Sequence, residues 1–366
     1  MHNIKKEIFG KCYSFIVDDV MQKMVADSVG LYPDCNANQS DVTITVADIM
    51  EGDFISKNPS VFTKYEDGFL THFPSCKVLW KFKAEHNSLD ITVALYNKQS
   101  TTKKAYSRLR SMEYPTDTEA FQQILHELVL VPSVYFFPDL SIIHAAAISK
   151  NGKAILMAGT GGTGKTSALL ALRKQAGIGF ITDDIAVVSQ DGMVYPNLAW
   201  PKVYGYNLSS YIGKSELLEG RSLINRLHFS LKLRLNPKTV RRKMRPDVLY
   251  GTVNTQPVPL GKVLYLVRDQ SEAIQLKTLH MSTAIKMGLH VMKTEYDIFH
   301  RQLEWDSYNA LAMDATPTLR TEDVFDNWEN NLKNAFSQAV IQTLHIPVDE
   351  KHEAYLEYIS DVLMNG

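Results

Sequence analysis

The sequence predicts an α/β fold in which a β-rich N-terminal region precedes a phosphate-loop domain. Three observations carry this expectation. Apolar and polar residues alternate with a period of two in "DVTITV", "VLWKFKA" and "LDITVALY", all before residue 130. The loop "GTGGTGKT", residues 159–166, lies between a strand-like run and a helix-like run. The acidic pair Asp183-Asp184 closes the next strand, "IGFIT". The chain divides as 1–130, assigned to possible substrate recognition, and 131–366, the phosphate-loop domain with C-terminal helices.

Composition bounds the function. With 366 residues and 45% hydrophobic content, the chain can bury a substantial core, as two domains or as one with an extension. Its 39 basic residues nearly cancel 40 acidic ones, so neither nucleic acid nor a membrane is expected as a partner. No apolar run reaches the roughly 20 residues of a membrane helix, and Asp18 and Asp19 interrupt the first apolar stretch, against a signal peptide. Cys12, Cys35 and Cys76 show no CxxC or CxxH spacing. Neither a disulfide framework nor a zinc site is therefore expected, and a reducing, cytoplasmic setting fits.

Along the chain, "YPDCNANQSD" reads as turn-like and "DTEAFQQILHELVLV" as a helix ending before Pro132. "SIIHAAAISK" and "KAILMAG" flank Asn151-Gly152, the dipeptide of a type I′ hairpin turn. Pairing Lys150 with Lys153 sets Ile148 against Ile155, Ala146 against Met157 and His144 against Gly159. "KTSALLALRKQ" reads as a short buried helix stopped by Gly177. Tyr204, Tyr206 and Tyr211 read as packing residues. Residues 236–261, with four prolines and the cluster Arg241, Arg242, Lys243 and Arg245, read as a long surface loop or arm. "KVLYLV" resumes a strand, and 321–344 and 349–364 read as helices.

Gly159, Gly164, Lys165 and Thr166 satisfy GxxxxGK(S/T), with Thr160, Gly161, Gly162 and Thr163 inside the loop and Ser167 after it. Glycines let successive backbone N–H groups turn inward around phosphate oxygens at a helix N-terminus. Lys165 is placed to reach the β- and γ-phosphates, and Thr166 to put its hydroxyl on Mg²⁺. Asp183 and Asp184 follow Lys165 by 18 and 19 residues, room for one helix and one strand, which returns both acids to the loop. One carboxylate can help hold the metal while the other accepts a proton from an attacking hydroxyl. The plainer reading of the pair is a turn that caps the next element. For His144 it is a satisfied core histidine.

The order His144, strand, GTGGTGKT, short helix, "FITDD" resembles the HPr kinase/phosphorylase superfamily and is similar to ATP-dependent phosphoenolpyruvate carboxykinases. The pattern "IIHAAAI…GTGGTGKTS…ITDD" looks closest to HPr-kinase-like serine kinases of peptide-modification and carrier-protein pathways, including lasso-peptide precursor kinases. The resemblance covers about residues 140–200. It implies a P-loop kinase core of the HPr kinase/carboxykinase type, with ATP and Mg²⁺ as cofactors. Phosphoryl transfer would go to a hydroxyl, such as a serine of a peptide, a peptide-derived product or a small carrier protein. Lys165 and Thr166 then take nucleotide and metal roles, His144 neighbours the transferring group, Asp184 is the base and Asp183 supports the metal. Related kinases form oligomers, so a homo-oligomer is expected.

The departures narrow this. Ser167 stands where HPr kinases carry glutamate, and their glycine-rich signature after the aspartates is missing, so HPr is not the expected substrate. The carboxykinases' further metal ligands are not recognisable either. An ATP-binding sensor without transfer activity and a small-molecule kinase are the alternative readings.

Overall fold

The computed structural model describes residues 1–50, 52–96, 108–173, 175–208 and 211–365. Lys174, in the expected helical run after the loop, lies outside the described residues. Eight strands form the N-terminal sheet: β1 (His2–Ile8), β2 (Lys11–Val17), β3 (Val42–Val46), β4 (Ser56–Asn58), β5 (Phe62–Tyr65), β6 (Gly68–His72), β7 (Cys76–Lys83) and β8 (Ser88–Leu95). Their order is β1-β2-β3-β8-β7-β6-β5-β4. The period-two segments all lie here, and their inward positions, Val42, Ile44, Val78, Trp80, Leu89, Ile91 and Val93, are buried. A helix, Asp19–Val29, capped by Asp18 accepting from the Met21 N–H, packs on this region.

The segment expected to end before Pro132 continues to Phe136. A capping box between Thr116 and Glu119 opens the helix Asp117–Leu125, a π turn spans His126–Leu130, and shorter turns carry the chain through Phe136. Pro132 falls in the first turn after the π stretch, where a missing N–H and a fixed φ are tolerated. Residue 130 therefore lies within a continuous helical segment. The two sheets also share one buried core across it, with Trp80 stacked on Phe136 at 5.7 Å and edge-on to Phe299 at 5.1 Å.

The second sheet contains β9 (Leu140–Lys150), β10 (Lys153–Ala158), β11 (Ile178–Thr182), β12 (Ile185–Ser189), β13 (Met193–Tyr195), β16 (Val258–Asp269), β17 (Gln275–Thr278) and β18 (Val340–Pro347). A separate ribbon pairs β14 (Lys202–Tyr204) with β15 (Arg241–Lys243). Strand β9 changes partners along its length. Its first half pairs with β12, and its second half is flanked by β10 and β11. Pairings run β9–β10–β16–β13–β12 and back to β9, closing a ring. The fold is thus mixed α/β with large sheets. Among the described residues no helix is long and apolar enough to cross a membrane.

Three expectations are corrected. Residues 236–261 hold β15 and the short helix Pro246–Tyr250 rather than a surface arm. Arg242 is only 2% exposed and donates to the Asn225 Oδ1 at 2.7 Å, so much of the basic cluster serves internal packing. The helix starting at Thr321 stops at Phe336. Residues 340–347 instead form β18, because Ile341, Leu344 and Ile346 must fill the core beside β16. Finally, Cys12 and Cys35 form a disulfide, with Cα atoms 5.8 Å apart. Backbone bonds from Cys35 N to Lys5 O and from Asp41 N to Cys12 O bring the segment after the helix Asp19–Val29 back onto the β1–β2 hairpin. Cysteine usage therefore gives no argument for a reducing compartment.

One ion pair ties the N-terminal sheet to the C-terminal half. Lys64 of β5 and Asp306 lie 2.9 Å apart with side chains 1% and 0% exposed, and Asp306 also accepts from the Thr318 N–H. Removing one partner strands the other charge in a dry site. Asp306→Ala is expected to lower unfolding free energy by about 3 kcal/mol, read by denaturant titration, whereas a loss under 1 kcal/mol would show that water reaches Lys64.

Candidate active site

The phosphate loop is formed where β10 ends and the helix Lys165–Leu172 begins. Asn151 and Gly152 adopt φ of 50° and 74°, and the register runs as expected from Lys150–Lys153 to Ala145–Ala158. Gly159 then leaves the strand at φ +141°, and a Cβ there would meet the Leu266 carbonyl oxygen at 2.6 Å. Gly164 caps the helix at φ +111°, with the Tyr355 ring where a Cβ would project. Side chains are excluded at both points by conformation and by contact.

Lys165 folds over the loop, its Nζ donating to the carbonyls of Gly159 at 2.7 Å and Thr160 at 2.8 Å. Burial draws its pKa below the usual lysine value, opposed by Asp184, Glu295 and Asp183. The Thr163 hydroxyl donates to the Thr160 carbonyl and braces the turn. Ser167 is buried and accepts from Asn207 Nδ2 at 3.2 Å, which links the helix to the Gly205–Asn207 turn. The Tyr355 hydroxyl donates to the Gly164 carbonyl at 3.1 Å, and Arg268 lies 5.5 Å over the Tyr355 ring.

Strand β11 delivers the aspartates, separated from β10 only by β9. Asp183 turns inward. The residue keeps some exposure, but its Oδ1 is shut off from solvent and has no hydrogen-bond partner. Burial, and next the charge of Asp184, push its pKa up to about 7, while the Thr166 hydroxyl and Lys165 oppose the rise. Asp184 turns outward, its side chain 65% exposed, and its Oδ1 lies 3.3 Å from His144 Nδ1. Burial lowers the His144 pKa despite Asp184, so this imidazole is neutral at pH 7.

His144 lies one residue beyond the last β9–β10 pair, Ala145–Ala158, so the expected register leads up to it on one edge of β9. On the other edge β12 follows β11, and there His144 is opposite Ile185, one residue from Asp184.

These groups border a cavity of about 770 Å³, within the range of small-ligand sites. Its wall also includes residues that sequence reasoning missed as site residues: Tyr204, Tyr206, Lys238, Arg268, Glu295 and His352. Tyr204 and Tyr206 stack at 5.4 Å, and Tyr206 is 47% exposed. They border the cavity, while Tyr211 packs against the core as expected. The Tyr-x-Tyr spacing was the one local signal available. The other four arrive by tertiary folding from distant elements.

Glu295 is the least expected neighbour. It ends the helix Met281–Glu295, and its Oε1 accepts from the Gly161 N–H at 2.8 Å. A carboxylate at a helix C-terminus is electrostatically disfavoured, and here it lies on a loop amide suited to a phosphate oxygen. Glu295→Gln is expected to tighten ATP binding by about threefold to tenfold at low salt. Calorimetric titration checks this, and weaker binding in the variant would mean that Glu295 holds the loop in shape.

The donor set fits a magnesium–triphosphate group. Asp183 carries an unsatisfied hard oxygen, Oδ1, and a side-chain hydrogen bond with Thr166, and Gly161, Gly162 and Gly164 of the loop border the same cavity. Among the described residues no three His, Cys, Asp or Glu side chains converge as a metal cluster. The protein would thus contribute few ligands and leave the rest to phosphate oxygens and water, as Mg²⁺ commonly requires. Comparison with models of protein families and with curated proteins finds no match to this chain.

Proposed function

We propose that the chain is an ATP-dependent phosphotransferase that delivers the γ-phosphoryl group to a hydroxyl, in the manner of the HPr-kinase-like serine kinases it resembles. One observation supports this above the others. Lys165, Thr166, the orphaned Asp183 oxygen and the Asp184–His144 pair all border a single nucleotide-sized cavity.

Each residue then has a task. The loop N–H groups bind phosphate oxygens, and Lys165 exchanges its loop carbonyls for the β- and γ-phosphates. Thr166 and Asp183 would hold Mg²⁺, which when bound neutralises charge between those phosphates. Asp184 is exposed enough to meet an incoming hydroxyl and accepts its proton, while neutral His144 fixes the carboxylate's orientation. Catalysis of this kind comes from positioning and electrostatic stabilisation.

The test is incubation with γ-labelled ATP and Mg²⁺ against serine peptides, small carrier proteins and free serine. Label in an acceptor supports the proposal. Label released only as inorganic phosphate, or retained in bound ATP, would favour a nucleotide sensor instead.

A further inference from the structure

A second, smaller cavity lies across the aspartates from the first. It measures about 160 Å³ and shares Thr166, Asp183, Asp184 and Tyr204 with the larger cavity of about 770 Å³. The shared residues form a common wall. The remaining lining differs in character. Ala199, Trp200 and Pro201 come from the loop between β13 and β14, and Val131 and Tyr296 face them. Lys202 and Glu127, paired at 2.6 Å, supply charge on the same lining.

These walls are held in place. Asn197 anchors the loop through Nδ2 to the Ile185 carbonyl at 3.0 Å and through its own N–H to the Ile181 carbonyl. The Tyr296 hydroxyl donates to the Glu127 carbonyl at 2.5 Å. Glu127 and Lys202 each hold the other's charge, which keeps the Glu127 pKa low and the Lys202 pKa high against the pull of burial. The slot is therefore preformed, apolar at Val131, Ala199, Trp200 and Pro201, and charged both at the Glu127–Lys202 pair and at the two aspartates it shares with the larger cavity.

We propose that this slot is the acceptor site, and that it takes a compact primary hydroxyl rather than a long folded segment. The inference rests on the phosphotransferase reading and adds the substrate class. Size decides against larger occupants, since the slot has about a fifth of the volume of the nucleotide cavity. Position agrees with this, because the slot shares Thr166, Asp183 and Asp184 with the nucleotide cavity, and an acceptor must approach the γ-phosphorus from a side other than that of the leaving oxygen. The acceptor oxygen bonds to that phosphorus as its bond to the β-bridging oxygen breaks. The electron pair leaves with ADP, and the hydroxyl proton passes to Asp184. Trp200 and Pro201 pack the apolar stem of the acceptor. A free serine-like alcohol and a serine side chain in a short peptide share this chemistry.

Two variants test the slot without touching the phosphate loop. Ala199→Leu narrows it, and Trp200→Ala widens it. The probes are L-serine, L-threonine and the tripeptide Ala-Ser-Ala with labelled ATP, alongside calorimetric MgATP binding and thermal unfolding for each protein. In Ala199→Leu, kcat/KM for the serine probe used is expected to fall by about tenfold or more, with the MgATP Kd within about twofold. In Trp200→Ala, the threonine-to-serine ratio of kcat/KM is expected to rise by about tenfold. Labelling of serine alone identifies a free alcohol as the source, and labelling of the tripeptide alone identifies a chain-borne serine. Transfer unchanged in both variants overturns the assignment, as does a wild-type protein that hydrolyses ATP yet labels neither serine probe. A wild-type protein that binds no MgATP overturns the phosphotransferase reading itself, and the slot assignment with it.

Discussion

Lys165→Met is expected to lower phosphoryl transfer by about 10³-fold and to weaken MgATP binding with it. The lysine Nζ lies on the Gly159 and Thr160 carbonyls, within reach of the loop that would cradle the phosphates. Its charge has no substitute there. Arg268 and Lys238 also border the cavity, but they come from other elements. Methionine preserves the buried stem, so the melting temperature should change little. Steady-state kinetics and calorimetry on the same preparation separate the two effects. A variant that keeps transfer within tenfold of wild type would show that Lys165 serves only to brace the loop.

Asp183→Asn is expected to abolish Mg²⁺-dependent transfer while stabilising the protein free of nucleotide. The two effects share one cause. Folding raises the Asp183 pKa from 3.8 to about 7, so between those values the folded chain keeps a proton that the unfolded chain releases. Stability is therefore lost as pH rises from about 4 to about 7, and the full loss, on the order of 4 kcal/mol, persists above that. Asparagine is neutral at every pH and escapes this loss. Thermal melts at pH 8 without nucleotide should place the variant above wild type, and the difference should shrink toward pH 4. A variant less stable than wild type at pH 8 would mean that the Asp183 carboxylate is already compensated. Mg²⁺ should add to the stabilisation by ATP in wild type and much less in the variant, because tighter binding to the folded state alone draws the equilibrium further toward it.

Asp184 differs from Asp183 because it is exposed. Asp184→Asn should retain MgATP binding and lose transfer, which separates proton acceptance from metal support. The adjacent carboxylates thus have opposite environments within one turn.

Much of this site was legible from local sequence because its parts are contiguous. Asn151-Gly152 fixed a hairpin register that holds to Ala158, and the glycine spacing placed the loop at a helix N-terminus. The 18-residue interval to Asp183 left no room for a detour. Long-range packing was not legible. Glu295, Arg268, His352 and Tyr355 reach the loop from the last third of the chain, and no local pattern marks them. The pairing of His144 with Ile185 lies on the other edge of β9, where β12 follows β11, and the hairpin register does not reveal it. The basic run at 241–245 looked solvated because charge usually is. Arg242 is instead buried by the hydrogen bonds it donates to Asn225 and to the Arg241 carbonyl. Cys12 and Cys35 are joined by a loop fold-back that spacing alone does not encode.

Equilibrium titration of ATP into the wild-type chain, with and without Mg²⁺ and in parallel with Asp183→Asn, examines the convergence of loop, lysine and aspartates on one ligand. Saturable binding is expected, tightened by about tenfold or more by Mg²⁺ in wild type and by much less in the variant. Absent binding, or binding equally tight without Mg²⁺ in both proteins, would contradict a single magnesium–triphosphate site at this loop.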